Sequence, residues 1–465
     1  MVDWLRVRDL PYMARHNYYY EFVHLLPWGL LVAVVEGNLA ANVIARAFSG
    51  TDLQVAIASA TPPGSLLVSL VWGMWCVGRP KLRLTMIAST LTGLFAATAA
   101  FTPRAAWGAW LFLLQIIAAN LFLTGVVTVR AALWKSNYPP TARGRITARL
   151  QAVRAISKIA ALTAAAAILD RDANAYRYIY PACAVAGAAS LAWVRRLHVR
   201  GERRELRGYR TAGSSASAED IGAERLLEPF NVWRVFSPRH LFGEMIEILR
   251  RDRAFRVYCS AQMLLGISNL MMRPVLVVML ERDLLSGADF FYRVSTILMD
   301  VLPTALMMAT LPRWGRFFDR VGVVRQRVYI GVFWVIATVF GTLGALATIG
   351  GPELRPWCLP LAIGLFALYA MFSGAGQGGG TLAWNIGHLH FAAPHEAEVY
   401  MGIHVSLTGL RGMLAPLLGT LLWTQVAWWT WLVSLAFATW SLMSYIGLLR
   451  EQQRQEATLE AHGRT

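Results

Sequence analysis

The chain is poor in charge, in lysine and in cysteine. Only 15% of its 465 residues are charged, and of its 44 basic residues three are Lys, the other 41 being Arg. Soluble domains carry about 25% charged residues, so this composition excludes a soluble enzyme and a disordered scaffold. The four Cys stand singly without a C-x-x-C pair, which excludes a disulfide-stapled secreted module and favours buried thiols over a metal or redox site.

Motifs of the common catalytic sites are also lacking. The sequence contains no G-x-x-x-x-G-K-[ST] phosphate loop, no H-E-x-x-H zinc motif and no G-x-S-x-G nucleophile elbow. We therefore expect no enzymatic activity, no catalytic residue, no cofactor and no bound metal.

Long apolar runs dominate what is present. Hydrophobic residues make up 56% of the chain, and a membrane-crossing helix requires about 20 of them in succession. Twelve such runs occur, at residues 26–48, 53–77, 84–103, 106–129, 148–169, 176–194, 256–280, 290–312, 328–350, 357–386, 397–423 and 426–448. We predict an all-α membrane protein with these twelve transmembrane helices, numbered helix 1 to helix 12.

The basic residues are distributed unequally between the two sides of the predicted helices. The two tails and the 2–3, 4–5, 6–7, 8–9 and 10–11 connections hold 33 of them, the opposite connections hold seven, and four lie inside helices. Cytoplasmic loops are enriched in Lys and Arg, so both termini are predicted to lie in the cytoplasm, with the chain in the inner cell membrane. The same asymmetry explains the formal charge of +17. We therefore expect the lipid bilayer to be a partner of the chain and expect no nucleic-acid partner.

A polar stretch separates the helices six and six. We predict an N-terminal bundle over 1–198, a cytoplasmic loop over 199–254, a C-terminal bundle over 255–450 and a cytoplasmic tail over 451–465. One loop segment has apolar residues at helical spacing, namely Leu241, Phe242, Met245, Ile248 and Leu249. It predicts either an amphipathic helix on the inner membrane surface or a solvated linker helix.

The connection between helices 8 and 9 carries the most specific motif. Residues 315–325 read G-R-F-F-D-R-V-G-V-V-R. This pattern, with six plus six helices and a long middle loop, resembles the major facilitator superfamily. The resemblance implies two pseudo-symmetric bundles around a central cavity, which rock to expose it alternately to each side of the membrane. It also assigns Gly315, Asp319, Arg320 and Arg325 to a cytoplasmic conformational latch, whose copy in the 2–3 connection lacks the Asp.

Ionisable residues interrupt five of the apolar runs near their middle. They are Glu36 in helix 1, Lys158 in helix 5, Arg273 in helix 7, Asp300 in helix 8 and Arg411 in helix 11. Each costs about 2.5–3.5 kcal/mol at mid-membrane, so each is expected to face a partner or water. The residues either line a transport cavity or form buried ion pairs that hold helices in register.

Polar side chains add to this predicted site. Those on helices expected to line the cavity are Asn38, Asn120, Gln262, Asn269 and Gln377. Gln262 and Asn269 share a face of helix 7 with Arg273, within about 60° at 3.6 residues per turn. Hydrogen bonding between helices is the alternative role for small polar residues.

Glycine is concentrated in helix 10, at positions 374, 376, 378, 379 and 380. A helical glycine costs about 1 kcal/mol relative to Ala. We expect a bend in helix 10 there, the alternative being tight packing on helix 11 or 12.

Together these features predict a secondary active transporter that moves a small solute by alternating access. A carboxylate that approaches and leaves the intramembrane cations would load and release a proton, so we expect coupling to protons. The excess of cations favours a substrate with an anionic group. The alternative is a non-transporting relative that uses the bundle for assembly or sensing. We expect a monomer.

Overall fold

The described part of the chain is entirely helical in its regular structure. The computed structural model describes residues 10–76, 78–105, 107–204, 206–207, 238–349, 355–392 and 397–462, and no β-strand occurs in these ranges. The helical segments in them that are long and apolar enough to cross a membrane number nine: Ala14–Glu36, Lys81–Phe101, Gly108–Asn137, Ala142–Leu169, Arg253–Leu284, Phe291–Leu346, Cys358–Asn385, Tyr400–Val426 and Trp429–Thr458. The prediction of an all-α membrane protein is confirmed, and the count of twelve spans stays a prediction.

The N-terminal half contains six helical rods, of which two are interrupted. Helix 1 consists of Tyr12–Glu36 and Leu39–Ala47, and helix 2 of Asp52–Gly64, the 3-10 turn Ser65–Val68 and Ser69–Cys76. Helices 3 to 6 are Lys81–Ala97 with the 3-10 turn Thr98–Phe101, Gly108–Asn137, Pro140–Leu169, and Tyr176–Val194 preceded by the 3-10 turn Ala173–Ala175. The break in helix 1, at Gly37 and Asn38, matters for the site described below.

The C-terminal half begins with the separate helix Pro238–Arg251. Helix 7 is Arg253–Val278 with the π-helical turn Met279–Leu284, and helix 8 starts as Phe291–Thr296 with the π-helical turn Ile297–Val301. Leu302–Leu346 contains the rest of helix 8 and all of helix 9. Helices 10 to 12 are Arg355–Ile386 with the 3-10 turn Gly387–His390, Ala397–Val426, and Trp429–His462.

Helices 8 and 9 form a hairpin that turns at Gly322. This residue has φ 74° and ψ 175°, in the left-handed region that glycine adopts without strain. Ring centroids of Trp314 and Phe333 lie 5.6 Å apart and those of Phe317 and Tyr329 lie 5.0 Å apart. The chain therefore reverses direction inside the predicted latch motif.

The predicted amphipathic segment is helical, as Pro238–Arg251. Met245, Ile248 and Leu249 pack against the buried core of the C-terminal bundle, whereas Ile246 is exposed. Part of the apolar face of this helix is therefore packed against the rest of the protein. Residues 208–237 of the predicted cytoplasmic loop and 463–465 of the tail lie outside the described residues, and the predicted domain boundaries remain untested.

The glycines of helix 10 permit close helix packing. A Cβ at Gly374 would lie 2.5 Å from the Pro303 carbonyl oxygen, and one at Gly379 would lie 2.7 Å from a ring carbon of Trp314. Helix 10 runs without interruption over Arg355–Ile386. Gly374, Gly378 and Gly379 therefore pack against helix 8 and Gly376 against helix 9, rather than against helix 11 or 12. Helix 10 has no break at these glycines.

Helix 2 and helix 11 also approach closely through glycine. We expect Gly412→Ala to destabilise the protein, because its Cβ would lie 2.7 Å from the backbone carbon of Pro63 and 2.8 Å from its carbonyl oxygen. Overpacking of this kind costs about 1–3 kcal/mol. Gly447→Ala is the matched control, since nothing lies within 4 Å of its added Cβ. Thermal unfolding of the purified variants in detergent measures the effect, and equal melting temperatures would contradict the tight contact.

Candidate functional site

A cavity of about 330 Å³ lies beside the break in helix 1, mainly between helices of the C-terminal half. Six of the predicted site residues line it: Asn38, Gln262, Asn269, Arg273, Gln377 and Arg411. The N-terminal half contributes only Asn38 and Pro63 to the described lining. The described lining therefore comes mostly from the C-terminal half. Two equivalent bundles around a shared centre would contribute to it more equally.

The cavity wall is positively charged. Arg273, Arg327 and Arg411 line it, and no Asp or Glu does so among the described residues. Arg327 is 3% exposed and donates from Nε and Nη2 to the Tyr258 hydroxyl at 3.1 and 2.9 Å. Neither contact supplies negative charge. The cavity thus presents guanidinium groups to a ligand inside a low-dielectric protein, where an anion would be attracted strongly.

Two of these arginines keep free hydrogen-bonding capacity. Arg411 donates from Nη1 to the Gln262 carbonyl oxygen, while its buried Nε has no hydrogen-bond partner among the described residues. Arg273 is half-buried and makes no hydrogen bond or ion pair with any residue that the structure describes. Both side chains can therefore bind a solute without first breaking an ion pair.

Glu36 forms a second charged cluster, with helix 5. Its Oε2 lies 3.2 Å from Arg154 Nη2 and 3.9 Å from Lys158 Nζ. The charge of Arg273 also acts on this carboxylate. One carboxylate thus faces three cations, and the cluster is net positive. Arg154 was absent from the predicted site, although it stands one helical turn before Lys158 inside a predicted span.

Asp300 stands at the break in helix 1. Asn38 donates to it from the backbone at 3.3 Å and from Nδ2 at 3.3 Å, and Asp300 is 6% exposed. Since Asn38 precedes Leu39–Ala47, the carboxylate also lies at the positive end of a helix. The π-helical turn Ile297–Val301 contains Asp300, so both helices depart from regular α-helix where they meet.

Asn120 has an interhelical role at the same break. Its Nδ2 donates to the Val35 carbonyl oxygen at 3.1 Å and to that of Ile116 at 2.9 Å. The first of these carbonyls loses its intrahelical partner where helix 1 ends. Asn120, Lys158, Glu36 and Asp300 are not among the residues that line the cavity.

Three ion pairs join the two halves at one end of the molecule. They are Arg46–Glu281 at 3.2 Å, Arg282–Asp52 at 2.7 Å and Arg293–Asp170 at 2.6 Å. Asp170 also accepts a 2.8 Å hydrogen bond from the backbone of Tyr292. These residues belong to the 1–2, 5–6 and 7–8 connections, which the charge asymmetry predicts to face outward. We call these three pairs the outer seal.

The predicted latch residues are not engaged in this conformation. Asp319, Arg320 and Arg325 are exposed, and none of the three has a hydrogen bond or ion pair with a residue in the described ranges. Nothing lies within 4 Å of a Cβ built at Gly315. The two halves are therefore joined by the ion pairs of the outer seal, whereas the residues predicted to form a latch make no such contact within the described ranges.

Sequence reasoning missed a buried carboxylate in helix 1. Glu21 has a side chain 2% exposed, with Arg130 Nε at 3.5 Å from Oε2. It accepts hydrogen bonds from Trp134 Nε1 at 2.6 Å and from the Tyr138 hydroxyl at 2.8 Å. The predicted span began at residue 26, whereas the helix begins at Tyr12, so Glu21 was taken to lie outside the membrane helix.

No family model and no curated protein matches the sequence. Solved structures match nearly all of it. A D-xylose-proton symporter has TM-score 0.63 and 10% identity, over 92% of this chain and 96% of that one. A POT family transporter in complex with a thioalcohol-conjugated peptide has TM-score 0.62 and 13% identity, over 96% and 99%. The nucleoside transporter NupG has TM-score 0.58 and 12% identity, over 95% and 99%. The chain therefore has the major facilitator fold, as the sequence motif predicted.

Proposed function

We propose that this protein is a secondary active transporter of a small organic anion, working by alternating access and coupled to protons. The observation that carries the proposal is the cavity lined by Arg273, Arg327 and Arg411 with no carboxylate in its described lining. The proposal includes twelve spans in the inner cell membrane, both termini in the cytoplasm, and a monomer. Transport is proposed because the solved structures that share this fold are transporters. The solutes named for those proteins are not assigned to this chain.

The substrate class follows from charge. Cations buried in a membrane protein are costly unless water or an anion compensates them. Arg273 has no ion-pair partner among the described residues, and Arg327 and Arg411 line the same cavity with like charges, which repel each other. A bound anion would remove this repulsion and satisfy the free guanidinium donors. The volume of about 330 Å³ is at the lower end of small-molecule sites, which span roughly 300–1,000 Å³.

Alternating access is supported by the asymmetric polar contacts between the halves. The outer seal holds the halves together at one end, so a solute in the cavity would exchange with the opposite, cytoplasmic side. Opening outward requires that Arg46–Glu281, Arg282–Asp52 and Arg293–Asp170 separate. The latch residues Asp319 and Arg320 would then engage at the other end, which compensates for the lost contacts.

Proton coupling would use Glu36. In this conformation Arg154 and Lys158 stabilise its charged form. A rocking motion that withdraws helix 5, or an anion that binds Arg273, weakens this stabilisation. Glu36 would then bind a proton as the anion is loaded, and release it when the cations return.

Proteoliposomes that enclose a pH-sensitive dye test this function. Inward gradients of carboxylates, sulfonates and phosphate esters are applied singly, against protein-free vesicles. We expect at least one anion to acidify the lumen, with a rate about tenfold lower in Arg273→Gln, because that variant removes a charged hydrogen-bond partner of the ligand. Arg454→Gln, in the exposed end of helix 12, is the matched control and should retain the rate. Absence of any anion-dependent pH change would overturn the proposal and favour the assembly or sensor alternative.

A further inference from the structure

The positive charge of the cavity is divided between two places along helix 7. The first is Arg273 itself. The second is Arg411, whose guanidinium lies so close to Gly266 that a Cβ at that glycine would overlap it. Gly266 and Arg273 are seven residues apart, which places them about 10 Å apart along the axis and on nearly the same face. We call Arg273 the central pole and Arg411 with Arg327 the inner pole.

Neither pole forms an ion pair with a carboxylate in the part of the chain that the structure describes. The inner pole combines two guanidinium groups whose residues line the same cavity, and its hydrogen bonds go to the Tyr258 hydroxyl and a backbone carbonyl. At the central pole Arg273 has no described partner, and the neighbouring cluster of Glu36 with Arg154 and Lys158 is itself net positive. A single negative charge would neutralise one pole and leave the other unpaired.

The cavity lining includes polar side chains of helix 7 and aromatic side chains of helices 9 and 10. Asn269 lines the cavity between Gly266 and Arg273. Gln262 is 5% exposed and lines the cavity together with Arg411. Its Oε1 has no hydrogen-bond partner in the part of the chain that the structure describes. Trp334 and Tyr369 also line it. This arrangement suits a ligand with a short apolar middle and charged ends.

We infer that the substrate is a linear dianion, of the class of dicarboxylates with about four to six carbons, held between the central and inner poles. This inference rests on the proposed transport of an anion and specifies its chemistry. Each carboxylate would accept paired hydrogen bonds from a guanidinium, a geometry that arginine favours. The length fits because Arg273 and Gly266, beside which the Arg411 guanidinium lies, are about two helical turns apart on helix 7.

Binding of matched acids to the purified full-length protein tests the inference. The probes are succinate, glutarate and adipate, each paired with the monocarboxylate of equal carbon number: butyrate, pentanoate and hexanoate. Affinities are obtained from the concentration dependence of thermal stabilisation. We expect at least one diacid to bind about tenfold or more tightly than its monoacid, because it satisfies a second charged pole.

Variants at each pole separate recognition from folding. Arg273→Gln and Arg411→Gln should each reduce the ratio of diacid to monoacid affinity to about one, whereas Arg454→Gln should keep the ratio of the unmodified protein. The melting temperature without ligand reports any folding defect independently of this ratio. Equal affinity for diacid and monoacid in the unmodified protein would overturn the inference and leave anion transport intact. Failure of all six acids to bind would overturn the inference, and the anion-panel flux assay would then decide the proposed function separately.

Discussion

Glu36→Gln is expected to abolish proton-driven accumulation of the anion while anion exchange persists. The glutamine keeps the shape of the side chain, but it cannot bind and release a proton between Arg154 and Lys158. Without coupling, and with the membrane potential held at zero, the ratio of internal to external anion should fall to about 1, because no potential then shifts the equilibrium of a charged solute. Uptake into proteoliposomes under an imposed pH gradient measures accumulation, and counterflow with anion on both sides measures exchange.

Two further variants make this result specific. Glu456→Gln removes an exposed carboxylate from the distal part of helix 12 and should leave accumulation unchanged. Glu36→Gln with Arg154→Gln removes one cation together with the carboxylate, so it should fold better than Glu36→Gln alone, because an unpaired intramembrane charge is costly. Undiminished accumulation in Glu36→Gln would rule out Glu36 as the coupling residue.

Charge reversal in the outer seal is expected to shift the protein toward an outward-facing conformation. Arg293→Glu replaces a donor of Asp170, whose side chain is 3% exposed, with a second negative charge. Loss of one hydrogen bond to a charged group costs about 2 kcal/mol, which corresponds to an increase of about 30-fold in the ratio of outward- to inward-facing molecules. The exchanged pair Asp170→Arg with Arg293→Glu should restore much of the original ratio.

Distance measurements between spin labels report this ratio directly. Arg171→Cys and Asp289→Cys place labels on exposed residues that line one outer groove, in a protein whose four native cysteines are replaced by Ala. The unmodified seal should give a short distance, and Arg293→Glu should populate a longer one. Arg454→Glu is the control for a change of charge elsewhere. An unaltered distance distribution in Arg293→Glu would show that this ion pair does not hold the halves together.

Several charged residues of the site could be identified from the sequence, because an ionisable group in an apolar run is expected to face a partner or water. Glu36, Lys158 and Arg273 stood out for this reason, and the structure brings the first two within 3.9 Å. Their grouping could not be derived, since it depends on how helices 1 and 5 rotate against each other. The same rotation places Arg154 at 3.2 Å from Glu36, closer than Lys158 at 3.9 Å.

Helix boundaries account for two of the residues that were missed, Arg327 and Glu21. Arg327 fell in a connection because helix 9 was predicted to begin at residue 328, whereas the helical hairpin turns tightly at Gly322. Glu21 was excluded by the same kind of error at the start of helix 1. Turn length is set by the left-handed glycine and by packing of the two helices, and average hydropathy along the chain does not contain that information.

The contact between Asp300 and Asn38 needed tertiary structure to be recognised. An Asp in an apolar run predicts a buried partner, but here the partner is the backbone and side-chain amide of Asn38 at a break in another helix. The break and the π-helical turn of helix 8 meet across the two halves, 262 residues apart in sequence. Local sequence patterns predict regular helices in both places.

The central claim is that an anion crosses the membrane through the cavity only when the outer seal can open. Cross-linking Arg171→Cys to Asp289→Cys with a reducible bifunctional thiol reagent, in proteoliposomes that show anion-dependent pH changes, tests it most directly. We predict that cross-linking stops the flux, that reduction restores it, and that each single cysteine variant is insensitive to the reagent. Flux that continues at its full rate in the cross-linked protein would contradict the claim.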